Sequence, residues 1–236
     1  MTRRSPSGRA PVIALDGLSG SGKSTLAREL SRRLEWAYLN SGAWYRALAW
    51  ACQRAGADPV SSEAVMALLS GIRIEGRPDG SVAVDGQVLR EELRTPEIDR
   101  AVPDVADHGP ARRVLVERMR ELRAQEEVAG IVAEGRDAAT CIFPDADLKV
   151  FVDADLEVRA RRRLEQRRRA GHEHEIGRVI QDLEARDARD AARGESAPRP
   201  VAGGKILDNT HLSVEEAIGR LLTWAAPLKA ALHRGC

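Results

Sequence analysis

Aromatic side chains make up only 3% of the 236 residues, which leaves little stacking surface for a strand of nucleic acid. Three cysteines, Cys52, Cys141 and Cys236, lie far apart and are odd in number; they suit neither a disulfide framework nor a zinc cluster. Charge of one sign is also lacking. The 37 Lys+Arg and 36 Asp+Glu leave a formal net charge of +1, whereas proteins that coat a polyanion carry a strong basic excess. No apolar run approaches the roughly 20 residues of a membrane-crossing helix. Val12–Leu15 also falls short of the roughly 7–15 residues of a signal-peptide core. With 43% hydrophobic residues, the expectation is a soluble, cytoplasmic α/β domain carrying one or two small insertions.

Residues 1–11, rich in Arg, Ser, Pro and Gly, read as a loose leader. Short unbroken apolar runs at Val12–Leu15, Ile131–Ala133, Leu148–Val152 and Ile206–Leu207, with a weaker one at Tyr38–Asn40, have the pattern of strands buried on both faces. Helical patterns lie between and after them at Ser24–Glu35, Trp44–Gly56, Pro110–Val128, Asp155–Ala170 and Ser213–His233. Such alternation implies βαβ units and a mainly parallel sheet. Two stretches break the rhythm. Residues 57–109 predict a small insertion: a short helix at Ser61–Gly71, an antiparallel hairpin over Ile72–Val84 turning at Pro78-Asp79-Gly80, and a helix start at Thr95-Pro96-Glu97. Residues 165–200, dense in Arg and Asp, predict a mobile helical flap.

The chemistry begins at Gly17-Leu18-Ser19-Gly20-Ser21-Gly22-Lys23-Ser24, which fits G-x-x-x-x-G-K-[ST] with Thr25 following. A strand enters it and a helix leaves it, as a phosphate-cradling loop requires. Its glycines let backbone N–H groups point at phosphate oxygens, Lys23 reaches the β- and γ-phosphates, and the Ser24 hydroxyl can ligate Mg²⁺. The helix N-terminus adds its positive dipole end. Residues Gly17 to Thr25 are therefore the candidate ATP-binding set.

Three further clusters carry candidates for what receives the phosphate. Asn40-Ser41-Gly42-Ala43-Trp44-Tyr45-Arg46 reads as a turn presenting Ser41, with Tyr45 and Arg46 on the next helix facing a second anion, or else as a helix start with an exposed arginine. Glu134-Gly135-Arg136-Asp137 ends a strand, at the edge where open α/β sheets bind ligands. Arg186, Arg189, Asp190 and Arg193 share one helix face, suited to bidentate phosphate contacts or to a solvated, salt-bridged surface.

Taken with Phe143-Pro144-Asp145-Ala146-Asp147-Leu148-Lys149-Val150 and Asp208-Asn209-Thr210, these segments resemble bacterial cytidylate kinases, collinearly from about residue 12 to 225. The resemblance implies a P-loop nucleoside monophosphate kinase fold: a five-stranded parallel sheet flanked by helices (12–56, 110–164 and 201–236), an inserted acceptor-binding subdomain (57–109) and a helical lid (165–200). It implies a monomer that transfers phosphate from ATP to CMP or dCMP with Mg²⁺, without nucleic-acid or membrane partners. Carried over by position, it implies that Ser41, Tyr45, Arg46, Arg112 (rather than Arg113), Arg136 and Asp137 line the acceptor site. It also implies that Arg186, Asp190 and Arg193 are lid residues, with Asp190 at the pentose and the arginines at the phosphates. Lys23, Arg136, Asp137, Arg186 and Arg193 are the implied catalytic set.

The sequence departs from the family pattern at Leu18 (usually Pro), Asn40 (usually Asp), Ala139 (usually Gly) and Pro103, where a serine that contacts the base usually stands. These departures bear on base specificity rather than on reaction class. Competing readings are another small-molecule P-loop kinase, an ATP-binding scaffold without transfer, and a nucleic-acid-binding protein that uses the basic strip Arg159–Arg169.

Overall fold

Apolar runs too short to make amphipathic helices become the strands of one parallel sheet. The structure, a computed structural model, describes residues 9–169 and 175–234; residues 1–8 of the expected leader, 170–174 of the expected flap, and Cys236 lie outside the described residues. Along the chain run β1 (Val12–Gly17), α1 (Lys23–Leu34), β2 (Ala37–Asn40), α2 (Ser41–Ala55), α3 (Ser62–Gly71), β3 (Ile74–Gly76), β4 (Val82–Val84), β5 (Gln87–Leu89), α4 (Pro96–Asp107) and α5 (Gly109–Glu121). There follow β6 (Ile131–Gly135), a π-helical turn at Ala138–Ile142, β7 (Leu148–Asp153), α6 (Leu156–Arg169), α7 (Ile176–Ala191), β8 (Lys205–Asp208) and α8 (Val214–Arg234). The main sheet has the order β2-β6-β1-β7-β8, all pairs parallel. None of the helices among the described residues is long and apolar enough to cross a membrane.

Strand alternation sorts the side chains of the sheet into two cores. Val12 and Ala14 of β1 pack with α2 to α5 on one face, whereas Ile13 and Leu15 pack with α1 and α8 on the other. Every residue of β1 is buried, as expected of a central strand covered by helices on both sides. α6 and α7 form a separate hairpin around a small apolar cluster of Ala160, Val179 and Leu183.

The insertion differs from expectation. The anticipated hairpin over Ile72–Val84 is a three-stranded antiparallel meander, β3-β4-β5. Its second turn, Asp85-Gly86, is a two-residue loop with φ of 49° and 83°, the conformation for which Asp-Gly is favoured. The three residues of β5 are too few for alternation to reveal. α2 also begins earlier than expected, because the Asn40 side chain accepts a hydrogen bond from the Ala43 N–H at 3.2 Å and starts the helix at Ser41. The expected helix over Pro110–Val128 ends at Glu121 and continues only as a 3-10 turn, Leu122–Ala124.

The insertion is tied to the edge of the main sheet at Tyr38. The Tyr38 N–H of β2 donates to the Pro78 carbonyl at 2.9 Å, and Gly80 lies under the Tyr38 ring, where a Cβ would meet Cδ1 at 2.3 Å. Gly80 also has φ +83°. Gly80→Ala should therefore cost about 1–3 kcal/mol. Gly86→Ala, at the same φ but in open space, should cost less, about 1 kcal/mol. Thermal unfolding of the two variants checks the difference; equal losses would show that the Tyr38 contact contributes nothing.

Candidate active site

β1 delivers the chain at Gly17 into the loop that precedes α1. The N-cap of α1 is Gly22, in the left-handed region and without a side-chain cap, so the first-turn N–H groups have no side-chain acceptor and form a natural anion seat. Lys23 is buried and donates to the Leu18 carbonyl at 3.1 Å. The Ser21 hydroxyl is buried without a hydrogen-bond partner. The Ser24 hydroxyl donates to Glu134 Oε1 at 2.8 Å, and the same oxygen accepts from the Tyr38 hydroxyl at 3.2 Å. Thr25 is exposed on the first turn of α1.

The loop is clamped from outside. Asn209 Nδ2 and Arg162 Nη1 donate to the Ser21 carbonyl at 2.7 and 3.3 Å. Arg162 Nη2 holds the Asn209 carbonyl at 2.7 Å. Arg159 Nη1 bridges the Ser19 carbonyl (3.2 Å) and Asp187 of α7 (2.7 Å).

Across the cleft stand the remaining candidates. On α2, Ser41 is buried at the foot of Gly135, Tyr45 is buried with an unpartnered hydroxyl, and Arg46 donates to the Leu93 carbonyl at 3.0 Å and pairs with Asp99 of α4. Arg112 of α5 pairs with buried Asp137 and stacks 5.4 Å from the Tyr45 ring centroid; its neighbour Arg113 is exposed. Arg136 Nε and Arg193 Nη1 converge on the two oxygens of Asp190 at 2.7 and 2.6 Å, and Asp190 is only 3% exposed. Arg193 Nε also reaches Asp107 of α4 at 2.9 Å.

Arg189, left open by the sequence between a phosphate contact and a salt-bridged surface, takes the second course and turns to Asp104 and Asp107 at 2.9 and 2.7 Å. It clasps α7 to α4. Arg186 makes no hydrogen bond or ion pair among the described residues.

The electrostatics follow from this uneven pairing. Burial, then the repulsion of Arg136 and Arg186, push the Lys23 ammonium down to about 7 against the attraction of Glu134 and Asp16. The Arg186 side chain reaches solvent through the open cleft, yet the cleft walls and the Arg136, Arg163 and Arg46 charges bring it down to about 10 despite Asp190. Arg163 of α6 is lowered chiefly by burial, then by Arg167 and Arg46. Burial raises the Asp137 carboxyl and the Tyr45 hydroxyl. A concave edge with surplus fixed positive charge, an uncapped helix start and orphaned hydroxyls on both sides can hold two phosphorylated groups facing each other.

Sequence reasoning missed several members. Arg163 was hidden in the basic strip, which the structure divides: Arg159 and Arg162 turn inward, while Arg161 and Arg169 pair with Glu157 and Glu165 on their own helix. Asp16 fell between the strand read at Val12–Leu15 and the loop read from Gly17, although a carboxylate at the C-terminal end of a strand is a signal in itself.

A family model described as cytidylate kinase matches residues 13–226. A cytidylate kinase of Burkholderia vietnamiensis is 38% identical over 214 residues, covering 91% of this chain and 92% of that protein. The cytidylate kinase of Burkholderia mallei has the same identity and coverage. Among solved structures, an uncharacterized protein from Eubacterium ventriosum aligns with a TM-score of 0.50 at 14% identity, covering 92% of this chain and 98% of that one.

The Lys23 environment yields a pH-dependent expectation. The folded chain releases this proton near pH 7, whereas the ordinary value is 10.5. Between those values the unfolded chain binds more protons, so Lys23 makes stability rise with pH. Lys23→Met should thus melt above the wild type at pH 7, with the gap narrowing toward pH 9. Melting curves across that range check it, and a constant gap would count against a depressed lysine.

Proposed function

The chain belongs to the cytidylate kinase family, and from that premise we propose that it moves the γ-phosphoryl group of ATP directly onto the phosphate of CMP or dCMP, releasing ADP and the diphosphate. The observation that carries this reading is the convergence of Lys23, Arg136, Arg163, Arg186 and Arg46 between the glycine-rich loop and the Arg112–Asp137 pair.

Phosphoryl transfer needs donor and acceptor phosphates held in line and their charge neutralised, which positioning and electrostatics supply. In this reading the 17–24 backbone N–H groups and Lys23 cradle the donor phosphates. Arg46 and Arg136 hold the acceptor phosphate, and Arg186 and Arg193 reach the charge that shifts in transfer. The attacking group is already a phosphate oxygen, so no general base is required. The Arg112–Asp137 pair faces the acceptor base: a carboxylate accepts from the exocyclic amino group of cytosine, whereas uracil offers an oxygen there.

Mg²⁺ fits the residues present. Ser24 offers a hydroxyl aligned by Glu134 at the glycine-rich loop, and Mg²⁺ is usually held by one or two protein oxygens together with substrate phosphates and water. When bound, the ion neutralises the β- and γ-phosphate oxygens. Residues 57–109 then act as the acceptor-binding subdomain and 165–200 as a lid, joined by the Arg189 clasp.

A coupled ADP-release assay with CMP, dCMP, UMP, AMP and shikimate tests the reading. CMP and dCMP should support turnover and shikimate none; turnover confined to another acceptor would overturn it. Arg46→Ala should raise the KM for CMP by about tenfold or more and leave that for ATP near its wild-type value. Equal effects would place Arg46 elsewhere. Arg186→Met and Arg193→Met should each lower kcat by roughly 10²-fold, the usual loss for one charge-stabilising group.

A further inference from the structure

Asp16 is the penultimate residue of β1 and is 2% exposed. On its strand it shares a face with Val12 and Ala14, the face on which α2, α5 and the Ala138–Ile142 turn pack. Its two carboxylate oxygens accept the N–H groups of Ala138 and Ala139 at 2.7 and 2.9 Å. Those are the first N–H groups of the turn, which a helical start leaves without backbone acceptors; the following N–H groups of Cys141 and Ile142 return to the Asp137 carbonyl. Asp16 therefore serves as an N-cap supplied from a different strand, and the residues immediately before the capped turn are Arg136 and Asp137.

We propose that Asp16 is a positioning residue that fixes the Arg136–Asp137 corner to the strand feeding the glycine-rich loop, so that acceptor and donor sites keep one spacing. The proposal rests on the acceptor role given to that corner above. Buried and with both oxygens engaged, Asp16 acts through that corner. Lys23 attracts its charge and Asp137 opposes it, while Lys149, Arg199 and Lys205 line the small cavity beside it. That cavity, about 10 Å³, admits at most one water, so solvent offers the two N–H groups little alternative. Burial holds the carboxyl up at about 6 against the two hydrogen bonds.

Asp16→Asn keeps the shape but sets an amide NH₂ against one of the two N–H donors. The KM for CMP should rise about tenfold or more, because a misplacement of about 1 Å can cost 10²-fold, while the KM for ATP stays within about threefold. Amide hydrogen exchange at Ala138 and Ala139 should accelerate by about tenfold, with exchange in the 17–24 loop unchanged. A merely structural role would lower stability and shift both KM values together. That outcome, or unchanged exchange at both alanines, overturns the proposal. Should the variant fail to fold, the wild-type chain carries the test: its Ala138 and Ala139 amide proton shifts should follow one titration with a midpoint near 6, and flat shifts overturn the proposal. CMP and the Lys23 ammonium titrate nearby, so the amide shifts are read without nucleotide and compared with those of Lys23→Met. Because exchange and shifts need no turnover, a chain inactive toward CMP would overturn the functional reading while leaving the test of Asp16 intact.

Discussion

Positive charges that must face one another govern this molecule. Lys23, Arg46, Arg136, Arg163 and Arg186 come from α1, α2, the end of β6, α6 and α7, and burial first, then repulsion among like charges, depresses Lys23, Arg163 and Arg186. Two unit charges about 6 Å apart at an effective dielectric of about 20 repel by nearly 3 kcal/mol. Left to themselves, such side chains would swing out to solvent. Arg46 and Arg136 are held inward by the carboxylates behind them, Asp99 and Asp190, whereas Arg186 has no such partner and stays open to the cleft.

The acids therefore work as braces. Glu134 braces Ser24, Asp137 braces Arg112, Asp190 takes Arg136 and Arg193 together, and Asp187 takes Arg159. A carboxylate behind a guanidinium fixes the planar fork while leaving its other N–H groups free for a ligand. Exposed pairs on the same helices, such as Arg161 with Glu157, contribute little by comparison. Arg189 marks the boundary between the two kinds: helical spacing placed it beside Arg186 and Arg193, but the partner within reach is the Asp104–Asp107 pair of α4.

Legibility in the sequence followed contiguity. The glycine-rich loop was readable because its pattern is contiguous, and β1 and β6 were readable because burial on both faces leaves unbroken apolar runs, whereas the edge strand β8 buries only Leu207 and showed a mere two-residue run. β5 was not readable, since three residues cannot display a period of two, although Asp85-Gly86 announced its turn. Periodicity gives the face of a helix but not what that face meets, which is why Arg189 stayed open between a phosphate contact and a salt bridge and Arg163 was lost within a strip of similar residues. Residues that act by reaching across the chain, Asp16 toward Ala138 and Asn209 toward Ser21, carry no local pattern that names their partner.

The strand ends explain why such reaches are reproducible. β1 and β6 are parallel neighbours in which Leu15 lies opposite Glu134 and Asp16 opposite Gly135. Leu15 points to the α1 face and Asp16 to the opposite one, so Glu134, level with Leu15, faces α1, Ser24 and Tyr38. One carboxylate thus serves the loop that opens α1, and the other serves the turn after Arg136 and Asp137. A slip of one residue in β1 would turn Asp16, and one in β6 would turn Glu134, to the opposite face of the sheet, setting a buried charge against apolar side chains. The apolar alternation that sets the register of the core therefore also sets the distance between the two halves of the site.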